Sequence, residues 1–234
     1  MQIFYAPEIK GEYYTLDENE SKHIIRVLRM TKGSGVRLID GKGNLYAGII
    51  HEPDSKKCTI LITGVVTNFE NRNYRLHIAI SPLKNPDRFE WFVEKSVEIG
   101  IDEITPLICI NSERKNIKIE RLNNLIISAM KQSLKSTMTI LNKPCLFNDF
   151  INTNHNGNLM IAHCNEKPVK SSILDIYSRD HAAVILIGPE GDFSVDEVEA
   201  AVVKGFIPVH LGKSRLRTET AGVAACHSIY FINQ

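Results

Sequence analysis

The chain has 234 residues, 43% of them hydrophobic and 24% charged, which is the balance of a globular protein able to bury one large core or two small ones and excludes a low-complexity polymer. Net charge is +1 and the apolar run 182–187 is far too short for a membrane-spanning helix. Five scattered cysteines without a Cys-x-x-Cys pair, and a start (Met1-Gln2-Ile3-Phe4-Tyr5) without a basic and apolar leader, point to reduced thiols in a cytoplasmic protein rather than a secreted disulfide scaffold or a zinc site.

In chain order, residues 36–40, 45–51 and 58–66 read as strands, the first two joined by the turn Gly41-Lys42-Gly43-Asn44. Residues 17–30 are predicted as one helix with Ile24, Ile25, Val27 and Leu28 as its apolar face. The polar stretch 67–73 is the linker candidate, so a small β-rich unit over 1–70 precedes a second unit over 74–234. In that second unit the rhythm changes. Strands at 76–80, 104–110, 159–162, 183–187 and 207–211 alternate with helices at 86–100, 119–136, 171–177, 195–204 and 218–231. Asn85-Pro86-Asp87 supplies an N-cap, a first-turn proline and a first-turn acid. Ser194-Val195-Asp196-Glu197 is a capping box, with Val195, Val198 and Val202 expected on one buried face. Alternation of this kind predicts an α/β fold with a mostly parallel sheet, and ligands in such sheets sit where loops leave the C-terminal strand ends.

Charge is segregated along the chain. Lys22, Arg26, Arg29, Lys32 and Arg37 lie in a stretch without an acid, with His23 among them. A second basic run holds Arg114, Lys115, Lys118, Arg121, Lys131 and Lys135 against Glu120 alone. Residues 186–199 carry five acids and no base. Such separation can steer a phosphate backbone to one face while total charge stays near zero.

Several chemistries are disfavoured. Gly212-Lys213-Ser214 imitates the end of a Walker A loop, but the required earlier glycine falls on Ile207. The Gly33-Ser34-Gly35 and Gly41-Lys42-Gly43 pairs lack the third glycine of a dinucleotide fingerprint, and no Gly-x-Ser-x-Gly elbow or His-x-x-x-His metal spacing occurs. His77 and His227 read as structural histidines. Two loops at strand ends remain: Gly188-Pro189-Glu190-Gly191-Asp192 after the strand ending at Ile187, and residues 211–222 after the next strand. Their glycines let a flat ligand approach the backbone.

These loops resemble a family. Leu186-Ile187-Gly188-Pro189-Glu190-Gly191, followed by Leu211-Gly212 and Leu216-Arg217-Thr218-Glu219-Thr220-Ala221, is similar to the SPOUT class of knotted methyltransferases, and within it to the RsmE family of ribosomal RNA N3-uridine methyltransferases. His23-Ile24-Ile25-Arg26-Val27-Leu28-Arg29 resembles that family's N-terminal RNA-binding segment, and Arg88-Phe89-Glu90, residues 95–100, Ile104-Thr105-Pro106 and Gln132-Ser133 extend the likeness along the chain.

The resemblance implies a PUA-like β-barrel over 1–70 and a SPOUT α/β trefoil-knot domain over 74–234. It also implies a homodimer that methylates uridine N3 in 16S ribosomal RNA of the small subunit, without metal or membrane. S-adenosylmethionine would be held by Leu186, Ile187, Gly188, Pro189, Glu190, Gly191, Leu211, Gly212 and Leu216. Lys22, His23, Arg26, Arg29, Arg88, Lys95 and Lys135 would contact RNA. Arg217 and Glu219 are the expected catalytic pair: a guanidinium to stabilise the anion formed when N3 loses its proton, and a carboxylate to take that proton. A sister enzyme acting on a ribose 2′-hydroxyl or a guanine, or a catalytically silent RNA-binding assembly factor, stays open. Against the family pattern, Ser214 and Lys135 stand where arginine is frequent, Lys131 where glutamate is, and Asp192 where a further glycine is.

Overall fold

The structure, a computed structural model, describes residues 3–234. The chain divides into two units, one reaching Asn71 and including Ile127–Met138, the other made of Arg72–Ile126 and Thr139–Gln234. The interleaving of 127–138 goes beyond a single cut near residue 70.

The first unit begins with β1 (Ile3–Tyr5), β2 (Tyr13–Thr15) and α1 (Glu18–Lys22), then β3 (Gly35–Ile39), β4 (Leu45–Glu52) and β5 (Thr59–Val66). They form a five-stranded sheet in the order β1-β3-β4-β5-β2, antiparallel except for β1 against β3. Inward residues of β1, β3, β4 and β5 (Phe4, Val36, Leu38, Ile50 and Ile60) meet Leu16 and Ile24 in one core. At the tip between β3 and β4, Asp40 Oδ1 accepts the backbone N–H of Lys42 (2.7 Å) and Asn44 (3.1 Å), the local device by which Asp closes a turn. Residues 136–138 are tied to that tip: Gly43 N–H donates to the Ser136 carbonyl (3.0 Å) and Met138 N–H to the Gly41 carbonyl (2.9 Å).

The expected helix over 17–30 is shorter. Asp17 caps α1 by accepting the Glu20 N–H at 2.8 Å, but after Lys22 the backbone widens into a π-helical turn, His23–Val27. The β-branched Ile24, Ile25 and Val27 crowd a regular helix, and the wider turn seats Ile24 fully in the core while leaving Val27 67% exposed. Arg29, at φ 53°, ends it.

The second unit runs β6 (Leu76–Ile80), α2 (Pro86–Ile99), β7 (Glu103–Ile108), α3 (Ile119–Gln132, counted with the first unit from Ile127 on), β8 (Ile140–Leu141), β9 (Cys145–Leu146), α4 (Phe147–Ile151), β10 (Asn158–Ala162), β11 (Ser171–Ser172), α5 (Ile173–Ile176), β12 (Ala183–Ile187), α6 (Val195–Val203), β13 (Ile207–His210) and α7 (Thr218–Ile232). Its sheet is parallel throughout, in the order β11-β13-β10-β12-β6-β7-β8, with β9 also on β7. Strand β12 therefore lies between β10 and β6, both of which precede it in the chain. Helices α2 and α7 pack together on one face, α7 over β6 and β12. On the other face α4 and α6 cover a core of Leu107, Phe147, Phe150, Ile161, Leu186, Phe193 and Phe206.

The capping box of α6 forms in both directions, Ser194 Oγ accepting the Glu197 N–H (3.1 Å) and Glu197 Oε2 accepting the Ser194 N–H (2.9 Å). Its buried face differs from the expected one: Glu197, Val198 and Ala201 face inward, while Val195 and Val202 are 59% and 40% exposed. Glu197 is buried because its other oxygen accepts the Ile110 N–H at 2.8 Å, so one carboxylate fixes both the helix start and the loop after β7.

His77, inside β6, is the structural histidine the sequence suggests: its Nε2 lies 2.8 Å from Thr105 Oγ1, and burial pushes its pKa down to about 4. Glu103 opposes that shift, while His155 and Arg75 reinforce it. A histidine depressed in the folded state takes up a proton more readily when unfolded. Its stabilising contribution is complete above about pH 6.5 and is lost as pH falls toward 4, on the order of 3 kcal/mol in all. Denaturant titrations at pH 7 and pH 4.5 should show the His77→Gln variant losing clearly less stability across that interval than the unmodified protein.

Candidate functional site

A cleft of about 970 Å³ opens at the C-terminal ends of β10, β12 and β13, where a parallel sheet places its ligands. Three walls form it. The first is the turn after β12. Strand β12 is buried along its whole length, and the chain then bends through Gly188, Pro189, Glu190 and Gly191. A Cβ on Gly188 would come within 3.0 Å of the Phe193 ring, so the bare backbone is what lets this bend lie against the core. The turn is bonded at several points. Glu190 Oε1 accepts the Lys84 N–H (3.0 Å), and Asn111 Nδ2 donates to the carbonyls of Gly191 (3.4 Å) and Asp192 (3.0 Å).

The second wall is the segment between β13 and α7. Gly212 takes φ 114°, a conformation costly for any other residue, and donates its N–H to His210 Nδ1 (3.3 Å). Residues 213–215 are exposed, Leu216 is half-buried, and Arg217 is the N-cap of α7. Arg217 forms no ion pair among the described residues. Glu219, in the first turn, is 8% exposed: its Oε1 lies 3.8 Å from Arg88 Nε, and its Oε2 has no partner among the described residues.

The third wall, Ala162 to Asn165 with Lys170, comes from the end of β10. Asp192, at φ 64°, reaches across to it and accepts the Cys164 N–H at 2.7 Å, clamping the first wall to the third. His163 is 6% exposed with neither ring nitrogen bonded among the described residues, and burial, reinforced by Lys170, lowers its pKa, so the ring is neutral near pH 7. The sequence reading missed this wall. Its only signal was positional: residue 162 also ends a strand, and the rule applied to the loops after 187 and 211 applies there too.

The cleft brings together ten of the expected residues: Arg88, Ile187, Gly188, Pro189, Glu190, Gly191, Leu211, Gly212, Leu216 and Arg217. Leu186 is different, because its side chain points into the α4/α6 core and is fully buried, leaving only backbone for a ligand. Glu219 stands behind Arg88 rather than on the wall. Lys95 is held on α2 by Glu94 and Glu98, both at 2.8 Å. In the first unit, Lys22 pairs with Glu18 (2.7 Å) and Lys135 with Glu70 (3.6 Å), while His23, Arg26 and Arg29 are exposed on the π-helical turn and its end.

Chemically, the cleft offers apolar surface from Ile187, Val209, Leu211 and Leu216 beside bare backbone at three glycines. The N–H groups of Gly191 and Leu216 carry no hydrogen bond among the described residues. Five cationic side chains (Arg88, Lys170, Lys213, Arg215, Arg217) outnumber the two carboxylates, Glu190 and Asp192. A flat heterocycle with polar edges fits the slot, and a polyanion fits its mouth.

The fold and cleft define an RNA methyltransferase with a PUA module: the family profile described as "RNA methyltransferase domain" matches residues 70–230, and that described as "RNA methyltransferase PUA domain" matches 16–63. A Mesomycoplasma hyopneumoniae protein named ribosomal RNA small subunit methyltransferase E is 30% identical over 228 residues, covering 95% of this chain and 96% of its own length. The crystal structure of a probable rRNA-methyltransferase from Porphyromonas gingivalis superimposes with a TM-score of 0.94 at 42% identity, over 100% of this chain and 98% of that one. The Neisseria gonorrhoeae ribosomal RNA small subunit methyltransferase E, solved with S-adenosyl methionine, gives 0.88 at 28% identity, again over 100% and 98%. The chain belongs to the RsmE family, the ribosomal RNA small subunit methyltransferases E.

Proposed function

We propose that this protein transfers a methyl group from S-adenosylmethionine to N3 of a uridine in 16S ribosomal RNA of the small subunit, in the cytoplasm and as a homodimer. The observation that carries this reading is one cleft walled by two glycine-bearing turns, with Arg217 at its mouth, held by no ion pair among the described residues. The residues fit the cofactor: an apolar slot, bare backbone at Gly188, Gly191 and Gly212, and unbonded N–H groups at Gly191 and Leu216 suit an adenine and its ribose. When bound, S-adenosylmethionine supplies an electrophilic methyl group, so the protein's part is to align the acceptor with it.

Uridine N3 is protonated at neutral pH, and its charge spreads to the flanking carbonyl oxygens once the proton leaves. Arg217 faces those oxygens with a planar fork of donors and stabilises the anion. A water in the cleft takes the proton and passes it to Glu219 behind it, whose Oε2 is without a partner among the described residues while Arg88 holds the other oxygen. Because N3 is a pairing position, the base is taken unpaired. Dimerisation is supported by the apolar outer side of the α2/α7 layer, where Trp91 is 42% and Phe231 69% exposed, Phe231 stacked on His227.

Methylation of purified small subunits that lack the modification, followed by nucleoside mass spectrometry, tests the reading. N3-methyluridine supports it, and a ribose-methylated nucleoside or methylguanosine would replace it with a sister activity. Donor binding absent from calorimetry would leave an assembly factor. In the first unit, Arg26→Ala with Arg29→Ala should weaken RNA binding and flatten its salt dependence, by a log–log slope of about 0.7 for each phosphate that is no longer neutralised. Filter binding at several salt concentrations reads both.

A further inference from the structure

The basic run beginning at Arg114 is not used by the donor cleft, yet three of its members line a second concavity. Between the N-terminal ends of α2 and α3 lies a cup of about 100 Å³, whose apolar part is Pro82, Leu83, Phe89, Ile117 and Leu122. Its charged wall carries Arg114, Lys118 and Arg121 against Asp87 and Glu90. Glu90 is neutralised, since Arg121 holds both its oxygens (Nε to Oε1 2.7 Å, Nη2 to Oε2 2.8 Å), a fork that braces α2 to α3 and keeps the cup open. Arg114 Nε donates to the Asn116 carbonyl (2.9 Å), which fixes its guanidinium at the rim. Lys115 and Lys118 are exposed and form no ion pair among the described residues.

The cup adjoins the first wall of the cleft. Lys84, two residues from Pro82, and Asn111, three from Arg114, are the residues that bond the Gly188–Asp192 turn. A small apolar floor ringed by cations is how proteins hold a splayed base and its phosphates. An acidic peptide would meet the cations but would leave the floor without a flat partner.

We infer that this cup is a second RNA subsite, holding one unpaired nucleotide that flanks the target base, with its phosphates on Lys115 and Lys118. The inference rests on the RNA methyltransferase reading above and adds a binding surface to it.

A charge-matched pair of double variants tests it. Lys115→Gln with Lys118→Gln should raise KM for small subunits about tenfold and lower the log–log salt slope of RNA binding by about 1.4, at roughly 0.7 per neutralised phosphate on a single strand. Donor affinity measured by calorimetry should stay at its starting value. Lys167→Gln with Lys204→Gln removes the same charge from exposed positions elsewhere in the second unit and should move neither quantity. RNA carrying 4-thiouridine beside the target should crosslink to the peptide containing Ile117. Equal effects from both double variants, no effect from the first, or crosslinks confined to other peptides would overturn the inference. If the unmodified protein transfers no methyl group, the reaction proposed above fails, while the binding slopes and crosslinks still judge the subsite.

Discussion

Arg217→Ala should lower the rate of methyl transfer by about 10²–10³-fold, the usual cost of removing one preorganised donor from a developing anion. Donor affinity should stay near its starting value, because the side chain stands at the mouth of the cleft while Gly188, Gly191, Gly212 and Leu216 line the slot. A structural role for Arg217, as an ion-pair partner of Glu219 or Glu190, finds no support in the geometry: Glu219 faces Arg88 and Glu190 accepts from the Lys84 backbone. Arg217→Lys should recover only part of the loss, since an ammonium restores charge without the planar fork. Single-turnover rates paired with calorimetry decide the matter. Full turnover by Arg217→Ala would remove the guanidinium from the mechanism.

Gly222→Val should be strongly destabilising, by about 3 kcal/mol or more, equivalent to a fall in Tm of roughly 6–12 °C. Helix α7 crosses α2 and β6 so closely at this residue that even a Cβ would lie 2.6 Å from the Phe92 ring and 2.9 Å from Ile80 Cδ1. Glycine costs helix stability, and here the cost is outweighed by close packing of two helices on a sheet. The same change should impair transfer below the melting temperature, because Arg217 and Glu219 sit on the first turn of the displaced helix. Gly64→Ala, where a Cβ meets nothing within 4 Å, is the control and should leave Tm within about 2 °C.

Much of this was legible in the residues. Strands that are buried on both faces announce themselves as apolar runs, unbroken in Ala183–Ile187 and interrupted only by His77 in Leu76–Ile80, and Asn85-Pro86 and Ser194–Glu197 mark helix starts through local hydrogen bonds that depend on few distant neighbours. The two glycine turns carry their chemistry in their composition. What stayed hidden depends on long-range packing. Strands β1, β2, β8, β9 and β11 are two or three residues long, too short for a period. The π-helical turn follows from where Ile24 has to be buried, and the inward face of α6 from the bond between Glu197 and Ile110. The third wall of the cleft bears no motif. His163, Cys164 and Asn165 are ordinary residues brought to the site by sheet order, and Asp192 joins them through a side chain whose partner lies 28 positions away.

That sheet order also governs when the protein becomes competent. Ala183–Ile187 must slot between two neighbours that left the ribosome earlier, and the opposite side of the pocket is supplied by residues 209–218 and Ala221. A nascent polypeptide that ends before Ile207 has half a receptacle and, of the three guanidinium groups that line it, only Arg88. The receptacle is thus complete only once the last strand and the segment after it have joined the sheet.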